Sequence, residues 1–425
     1  MKCEKRNTIK RDRTMRFRIL GILYLLIVAT AASGQILTDR ENHWLRKNAK
    51  EICREELSEP DWAYLLPGLK NKKIILLGEF THGAKEIFQI RNSLIRYLHQ
   101  KLGIKAILLE SGIGELIEAD IYKDRMTPGQ MINGLFGGWR TKEWVELMDY
   151  VKTEKISIAG FDVQRTAGSF STILTGLAAR FQINSLYYSD IETRYGVLAR
   201  ELINRKTVYD SVKTTTLQLI ADYRALLEKL AAVAPVEKNR ELLFTRATIG
   251  NRISYLSYML DFVRDKDWNK KWAARDAAMA ANIEWLRDNY DGDQPIIIIA
   301  HNFHIAKWNK NESTMGELLK EKWGDEMFAL GVFAGAGWYH ENGGNEVKML
   351  SPDSTGMDLK HVINMLNGKA NFIAIPSVKR KASGWLDKKI VVNDTFIDLK
   401  NSNEMVLSMS FDGLLLLREV SPPEK

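Results

Sequence analysis

Lys73-Ile-Ile-Leu-Leu-Gly-Glu-Phe-Thr-His-Gly83 decides the reading of this chain. Its apolar first half reads as a strand, and a helical pattern follows near Ala84–Leu102, with Gly103 at that helix's C-terminal end. Glu79 and His82 therefore stand three residues apart where a strand gives way to a helix. Open α/β sheets keep ligands and catalysts at such strand ends. The pattern recurs. Ala106-Ile-Leu-Leu109 ends on Glu110, and Ile296-Ile-Ile-Ile-Ala300 ends on His301, with His304 one helical turn further. Three apolar strands that each deliver an acid or an imidazole at the C-terminal end read as one site.

The alternation continues around them. Ile156–Asp162, Phe328–Phe333 and Gly413–Leu417 read as further strands, and helices fill the spaces up to about Tyr150. This spacing predicts an α/β fold, a mostly parallel sheet flanked by helices. Between 166 and 290 strand-like runs nearly vanish. Thr215–Val233, Lys238–Arg264 and Ala273–Tyr290 carry long helical periodicities, so a helical insertion or cap of three or four helices is expected there. The α/β core then comprises residues 35–165 and 291–425. An amphipathic helix is expected over 40–57, ended by Pro60. No solenoid-length repeat or low-complexity tract is seen.

Residues 1–34 read as a signal peptide: basic from Lys2 to Arg18, apolar over the 14 residues Ile19–Ala32, with small residues at Ala32-Ser-Gly34. The apolar run is short for a bilayer span, and an uncleaved anchor is the plainer alternative. Localisation is therefore expected to be periplasmic or secreted, with no stable membrane span after cleavage. The segment holds 8 Lys/Arg against 2 Asp/Glu, so +6 of the chain's formal +8 resides in it. The remainder is nearly neutral and shows no basic stripe with interleaved aromatics, and no nucleic-acid partner is expected. Beyond the signal only Cys53 is left, in the pattern Trp44–Leu57. One cysteine cannot close an internal disulfide, and a half-buried packing role suits it.

A histidine with an unperturbed pKa near 6.5 can take and return protons close to neutrality, and a neighbouring carboxylate can hold one of its ring nitrogens. Glu79 and His82 fit that scheme, although a cap and a satisfied histidine at a helix start would have the same sequence. His301 and His304, one turn apart, suit either metal ligation or donation to a developing oxyanion. The chain has seven histidines, and three of them occupy these strand ends, which favours chemistry over packing. Arg91 follows His82 by nine residues, on or beside the same helix face, where it could neutralise a carboxylate or bind an anionic group. Arg275 and Asp276 suit a structural ion pair supporting the site. Gly78 to Gly83 has the glycine spacing of a phosphate-binding loop, but Ala84 stands where the lysine belongs and Glu79 would repel phosphate. Neither a Gly-x-Ser-x-Gly elbow nor a His-Glu-x-x-His motif occurs.

At these residues the chain resembles the erythromycin esterase family. The matching stretches are Gly78-Glu-Phe-Thr-His-Gly83, Glu86-Ile-Phe-Gln-Ile-Arg91, Leu108-Leu-Glu110, Gly160-Phe-Asp-Val-Gln164, Arg275-Asp-Ala-Ala-Met-Ala280 with Asn282, and Ala300-His-Asn-Phe-His304. Met315-Gly316 and Phe411-Asp-Gly413 continue the series. The resemblance implies an α/β core with a helical lid and hydrolysis of an ester or lactone, in the best-known members the macrolactone of erythromycin. It also implies His82 as the general base that activates water without a covalent intermediate. Glu79 and Glu110 would orient that histidine or the water, and His301, His304 and Arg91 would polarise the carbonyl or steady the oxyanion. Phe80, and Ser111-Gly112 after Glu110, depart from the family pattern beside the site and bear on the substrate. The resistance members act on macrolide antibiotics inside the cell, whereas export is expected here, so another small-molecule ester or lactone is the more fitting partner.

No cofactor is expected on this reading. Two others stay open: a hydrolase in which Glu79, His82, Glu110, His301 and His304 hold one divalent metal ion, and a non-catalytic protein that binds haem or another small ligand in the same crevice.

Overall fold

Runs such as Ile74-Ile-Leu-Leu77 and Ile296-Ile-Ile-Ile299 are apolar at every position, which suits strands buried on both faces. In the structure, a computed structural model, they lie side by side inside a nine-stranded sheet. The structure describes residues 36–52, 62–183, 185–233, 239–289, 294–309, 313–354, 356–392 and 404–425. The expected signal peptide, Cys53 and Pro60 lie outside the described residues.

The strands are β1 (Lys50–Ile52), β2 (Ile74–Leu77), β3 (Ala106–Gly112), β4 (Ser157–Asp162), β5 (Ile296–Ile299), β6 (Met327–His340), β7 (Glu346–Lys348), β8 (Ala370–Ala374), β9 (Lys389–Val391), β10 (Glu404–Val406) and β11 (Gly413–Val420). The sheet runs β1-β8-β11-β6-β2-β5-β3-β4, with β7 paired to the end of β6, while β9 and β10 form a separate pair. All pairings from β11 to β4 are parallel; β8 is antiparallel to β11, and β1 to β8. The mostly parallel sheet read from the sequence is thus present. From β2 the chain steps outward to β3 and β4, returns to β5 between β2 and β3, and crosses to β6 on the other side of β2. The direction of winding reverses at β2 and β5, which opens a crevice at their C-terminal ends.

The longer helices are α1 (Asp39–Asn48), α2 (Lys85–Leu102), α3 (Ile113–Ile121), α4 (Lys142–Thr153), α5 (Phe170–Arg180), α6 (Ser185–Ile203), α7 (Tyr209–Val233), α8 (Arg240–Asp265), α9 (Trp268–Asn289) and α10 (Met315–Trp323). Gly103 closes α2 with φ 68°, its N–H donating to His99 O. The period-two alternation of the strands divides the core in two. Ile74, Leu76, Leu108, Ile296 and Ile298 share one hydrophobic cluster with Phe170, Tyr195, Leu226, Met259 and Ile283 of α5–α9. Ile75, Leu77, Ile107, Leu109, Ile297 and Ile299 share the other with α2 and α4. Each fully buried Ile or Leu contributes about 1.5–3 kcal/mol of transfer free energy. The helical segment between β4 and β5 holds five helices among the described residues, rather than three or four, and covers one face of the sheet.

The expected helix over 40–57 needs correcting. Thr38 caps α1 with a reciprocal Glu41 contact, and the helix stops at Asn48 because Ala49 turns extended (φ −64°, ψ 127°). The next three residues pair with the free edge of β8, Lys50 opposite Phe372. A ladder available to the backbone outweighed the helical periodicity.

The C-terminal segment straps the start of α2. Glu86 accepts from the backbone N–H of Ser421 (2.6 Å) and from its hydroxyl (2.7 Å), Lys85 N–H donates to Ser421 O (2.9 Å), and Glu424 pairs with Lys85 and Lys142. Alongside it, the N–H of His340 at the end of β6 donates to Gly83 O (2.8 Å).

Candidate active site

Three strand ends are stitched together before any side chain reaches the crevice. A Cβ on Gly78 would lie 2.1 Å from Asn302 Oδ1 and 2.9 Å from Leu330 O, so only glycine fits after β2. Asn302 N–H donates to Glu79 O (2.8 Å), while its side chain donates to Val332 O (2.6 Å) and accepts from Val332 N–H (3.0 Å). The backbones after β2 and β5 are thereby tied to each other and to β6.

Glu79 is fully buried, and three donors converge on it. His82 Nδ1 lies 2.5 Å from Oε1, Trp139 Nε1 donates to the same oxygen (2.8 Å), and Arg91 Nη1 donates to Oε2 (2.5 Å). Burial works against its charge, but Arg91, His82 and Trp139 outweigh that and hold the carboxyl below its ordinary range. Because an ionised carboxylate only accepts, Nδ1 of His82 carries the proton, which leaves Nε2 as the basic nitrogen of the neutral ring. Burial lowers the His82 pKa, but the Glu79 hydrogen bond and the charges of Glu79 and Glu110 raise it above the usual imidazole value. The ring is framed by Phe136, His301 and Trp139 at centroid distances of 5.0, 5.6 and 5.7 Å. Arg91 is placed behind Glu79, not in the crevice. Its guanidinium rests on Phe88, Trp139 and Trp144, and its Nε and Nη2 have no hydrogen-bond partner among the described residues. It neutralises the carboxylate, one of the two tasks its sequence position suggested, and is not among the residues that line the cavity.

A second network surrounds Glu110. The β3–β4 register shifts between Leu109 and Gly112, and a Cβ on Gly160 would lie 2.2 Å from the carbonyl oxygens of both Ser111 and Gly112. That close approach brings Glu110 and Asp162 to one place. Arg275 of α9 spans them: Nη2 donates to Glu110 (2.9 Å) and Asp162 (2.7 Å), Nε donates to Asp162 (3.2 Å), and Nη1 meets His304 Nε2 (2.8 Å). A guanidinium only donates, so His304 Nε2 accepts and Nδ1–H donates to Asp276 (2.9 Å), which also accepts from Met315 N–H. Arg275 and Asp276 thus hold His304 from its two sides instead of forming an ion pair with each other. Burial opposes the charge of Glu110, but His304, His82, Arg275 and the His301 N–H (2.9 Å) hold its pKa well below the carboxylate range.

His301 does not match the role sketched from sequence. Its Nε2–H donates to Phe80 O (2.8 Å), and its Nδ1 accepts from Phe303 N–H (3.2 Å) as the cap of the short helix Asn302–Ile305. Burial, reinforced by His82, pushes its pKa down to about 4, so the ring is neutral around pH 7. Neither His301 nor His304 has a ring N–H left for an oxyanion. Among the described residues no three His, Cys, Asp or Glu side chains converge as a metal site. Of the five residues weighed as ligands, Glu79, His301 and His304 spend their donor atoms on these protein contacts.

The crevice is a cavity of about 280 Å³. It is lined by Thr81 and His82, by Glu110 and Asp162, by His301, Phe303 and His304, by Trp272 and Arg275 of α9, and by Phe136, Gln164–Thr166 and Asn342. Of the residues singled out from the sequence, His82, Glu110, Arg275, His301 and His304 line this cavity. Sequence reasoning missed Asp162, although that acid ends an apolar strand just as Glu110 does. Trp139 and Phe136 sit at a 3-10 turn with no periodicity to mark them. Among the described residues no helix is long and apolar enough to cross a membrane.

Known proteins fit this picture. The family model described as erythromycin esterase matches residues 99–420, a span that takes in Glu110, Asp162, Arg275, His301 and His304 and begins after Glu79, His82 and Arg91. YbfO of Bacillus subtilis (strain 168), named as a hydrolase without a stated substrate, is 25% identical over 446 residues, covering 95% of this chain and 96% of its own. Erythromycin esterase type II of Escherichia coli is 23% identical over 326 residues, covering 66% of this chain and 75% of its own. A crystal structure of a Bacillus cereus protein shares the fold with a TM-score of 0.74 at 20% identity, covering 91% of this chain and 99% of that one.

Proposed function

The chain belongs to the erythromycin esterase family, and from that premise we propose that it is a hydrolase that cleaves a carboxylic ester or lactone with water activated by His82. The observation that carries the reading is the His82 ring itself. Nδ1 is held by the buried, ionised Glu79, and the ring lines the cavity with Nε2 available to a water. Nε2 takes a proton from water as its oxygen attacks the acyl carbon, and the imidazolium that forms is stabilised by Glu79 and Glu110. The proton then passes to the departing alkoxide, giving an acid and an alcohol with no bond between substrate and protein. Glu79 is fixed by Arg91 and Trp139, and Glu110 by Arg275 and the His301 N–H. His301 and His304 line the same cavity, each held through both ring nitrogens. No cofactor enters this scheme.

Export is proposed alongside, on the basic-then-apolar pattern of residues 1–34; a mature N-terminus near residue 35 would bear it out. The test of the chemistry is hydrolysis of macrolides, simple lactones and acyl esters by wild type and His82→Ala, with and without EDTA. A fall in kcat of about 10²–10⁴ in the variant, insensitive to EDTA and without a pre-steady-state burst in wild type, is the expected result. Activity abolished by EDTA, or undiminished in His82→Ala, would sink the proposal.

A further inference from the structure

Beside the catalytic cavity lies a second one of about 330 Å³, and the two share Gln164, Arg165 and Thr166 as a common wall. The second cavity is otherwise lined by Ala167, by Gly196, Ala199, Arg200 and Ile203 of α6, and by Tyr255 of α8. Its charged lining residues are Arg165 and Arg200, with no acid among the residues that line it. The catalytic cavity balances Glu110 and Asp162 against Arg275, whereas Arg165 forms no ion pair among the described residues.

Arg165 is nonetheless held in place. Its Nε donates to Ala167 O (2.6 Å), and the loop that carries it is tied by Arg140, which donates to Thr166 O (3.4 Å). The buried Gly196 sits under its guanidinium, where a Cβ would lie only 2.0 Å from Nη1. Glycine inside a helix is costly relative to alanine, and here its missing side chain is what seats the arginine. A half-buried, oriented guanidinium without an acid partner among the described residues, lining a hydrolytic cavity, is a receptor for a carboxylate or phosphate-type oxyanion.

We propose that the substrate is an acidic ester, whose carboxylate or phosphate-type group binds Arg165, with Arg200 at the outer end of the groove, while the scissile ester reaches His82. This rests on the hydrolase reading above. The test uses p-nitrophenyl hemiglutarate, its phosphonate analogue and its neutral methyl ester as substrates, and the three corresponding anilides, which bind without turnover, for calorimetry. Wild type is expected to prefer the acidic esters in kcat/KM, and the acidic anilides in affinity, by about tenfold to a hundredfold, the range of one charge-assisted contact. Arg165→Gln should bring the acidic-to-neutral ratio close to one, Arg165→Lys should restore part of it, and Gly196→Ala should lower it by displacing the guanidinium. A preference for the carboxylate over the phosphonate, or the reverse, names the anion. Hydrolysis with no acidic preference, or a preference that survives Arg165→Gln, overturns this inference alone. Anion-selective anilide binding without any ester turnover overturns the hydrolase reading alone, and the absence of both overturns both.

Discussion

Glu79→Gln keeps the shape of the buried carboxylate and removes its charge. Three donors, His82 Nδ1–H, Trp139 Nε1–H and Arg91 Nη1–H, meet its two oxygens. The amide has one oxygen and turns an NH₂ toward the other side, so at least one donor faces a donor. If the oxygen stays with Arg91, the NH₂ faces His82 and favours the tautomer with the proton on Nε2, which cannot accept one from water. If it turns to His82, Arg91 is left as a buried cation with only aromatic rings around it. The first arrangement loses a charge-assisted hydrogen bond to the imidazolium, about 1.5–3 kcal/mol, or about 10- to 150-fold in kcat/KM. The second approaches the cost of half-breaking a buried pair, about 3–5 kcal/mol of stability. The pH profile separates activity from stability. Wild type must have neutral His82, whose pKa is raised, so its activity climbs through a midpoint above 6.5. Without Glu79 the burial that lowers this pKa is less opposed, and the acid limb moves to lower pH. The assay is kcat/KM against pH on the best ester found, with denaturant midpoints for both proteins. A variant with unchanged rate and an unmoved limb would refute the Glu79–His82 coupling, whatever happened to its stability.

Arg275→Met should remove about 3–5 kcal/mol at pH 7 by leaving Glu110 and Asp162 buried without their shared cation, and denaturant midpoints should show the gap to wild type narrowing as the pH is lowered. His301→Asn retains a capping side chain, so its kcat/KM is expected within about tenfold of wild type, against the hundredfold or more expected for His82→Ala; equal losses would make His301 a participant in the proton transfer. Gly160→Ala puts a methyl 2.2 Å from two backbone carbonyls, which should cost about 1–3 kcal/mol and lower activity by shifting Glu110. Glu79 and Glu110 both have folded pKa values below the ordinary 4.5. Their contribution to stability is therefore complete above that pH and lost as the pH falls through the folded values. Stability measured from pH 7 downward should fall progressively below about pH 4.5, and less steeply in Glu79→Gln.

The parallel sheet was legible because β2, β3 and β5 are short apolar runs with helical patterns between them, and nothing in the tertiary structure competes for those backbones. The end of α1 was not, because Lys50–Ile52 follows a sheet edge contributed by residues more than three hundred positions away (Lys50 pairs with Phe372). The site divides on the same line. Glu79, His82, Glu110 and His304 follow from strand ends and local spacing. The tasks of Arg91, His301 and Arg275 do not, since each depends on which atom of a distant residue occupies the other end of its hydrogen bond. A carbonyl such as Phe80 O, which engages His301, carries no signature in the sequence at all.

The strap between Glu86 and Ser421 joins residues 335 positions apart, and Arg275 meets Glu110 across 165. Such long loops must close before their contacts contribute, which slows folding. The loop bearing His82 is therefore built first and fastened last. A nascent chain released as far as β4 holds Glu79, His82 and Glu110 but lacks Arg275, His301, His304 and the strap that surround and fix them. On the hydrolase reading proposed above, catalytic competence then arrives as one of the final events of folding rather than with the strand that precedes His82. Two separately made fragments, divided between α9 and β5, should accordingly be inert until they are mixed.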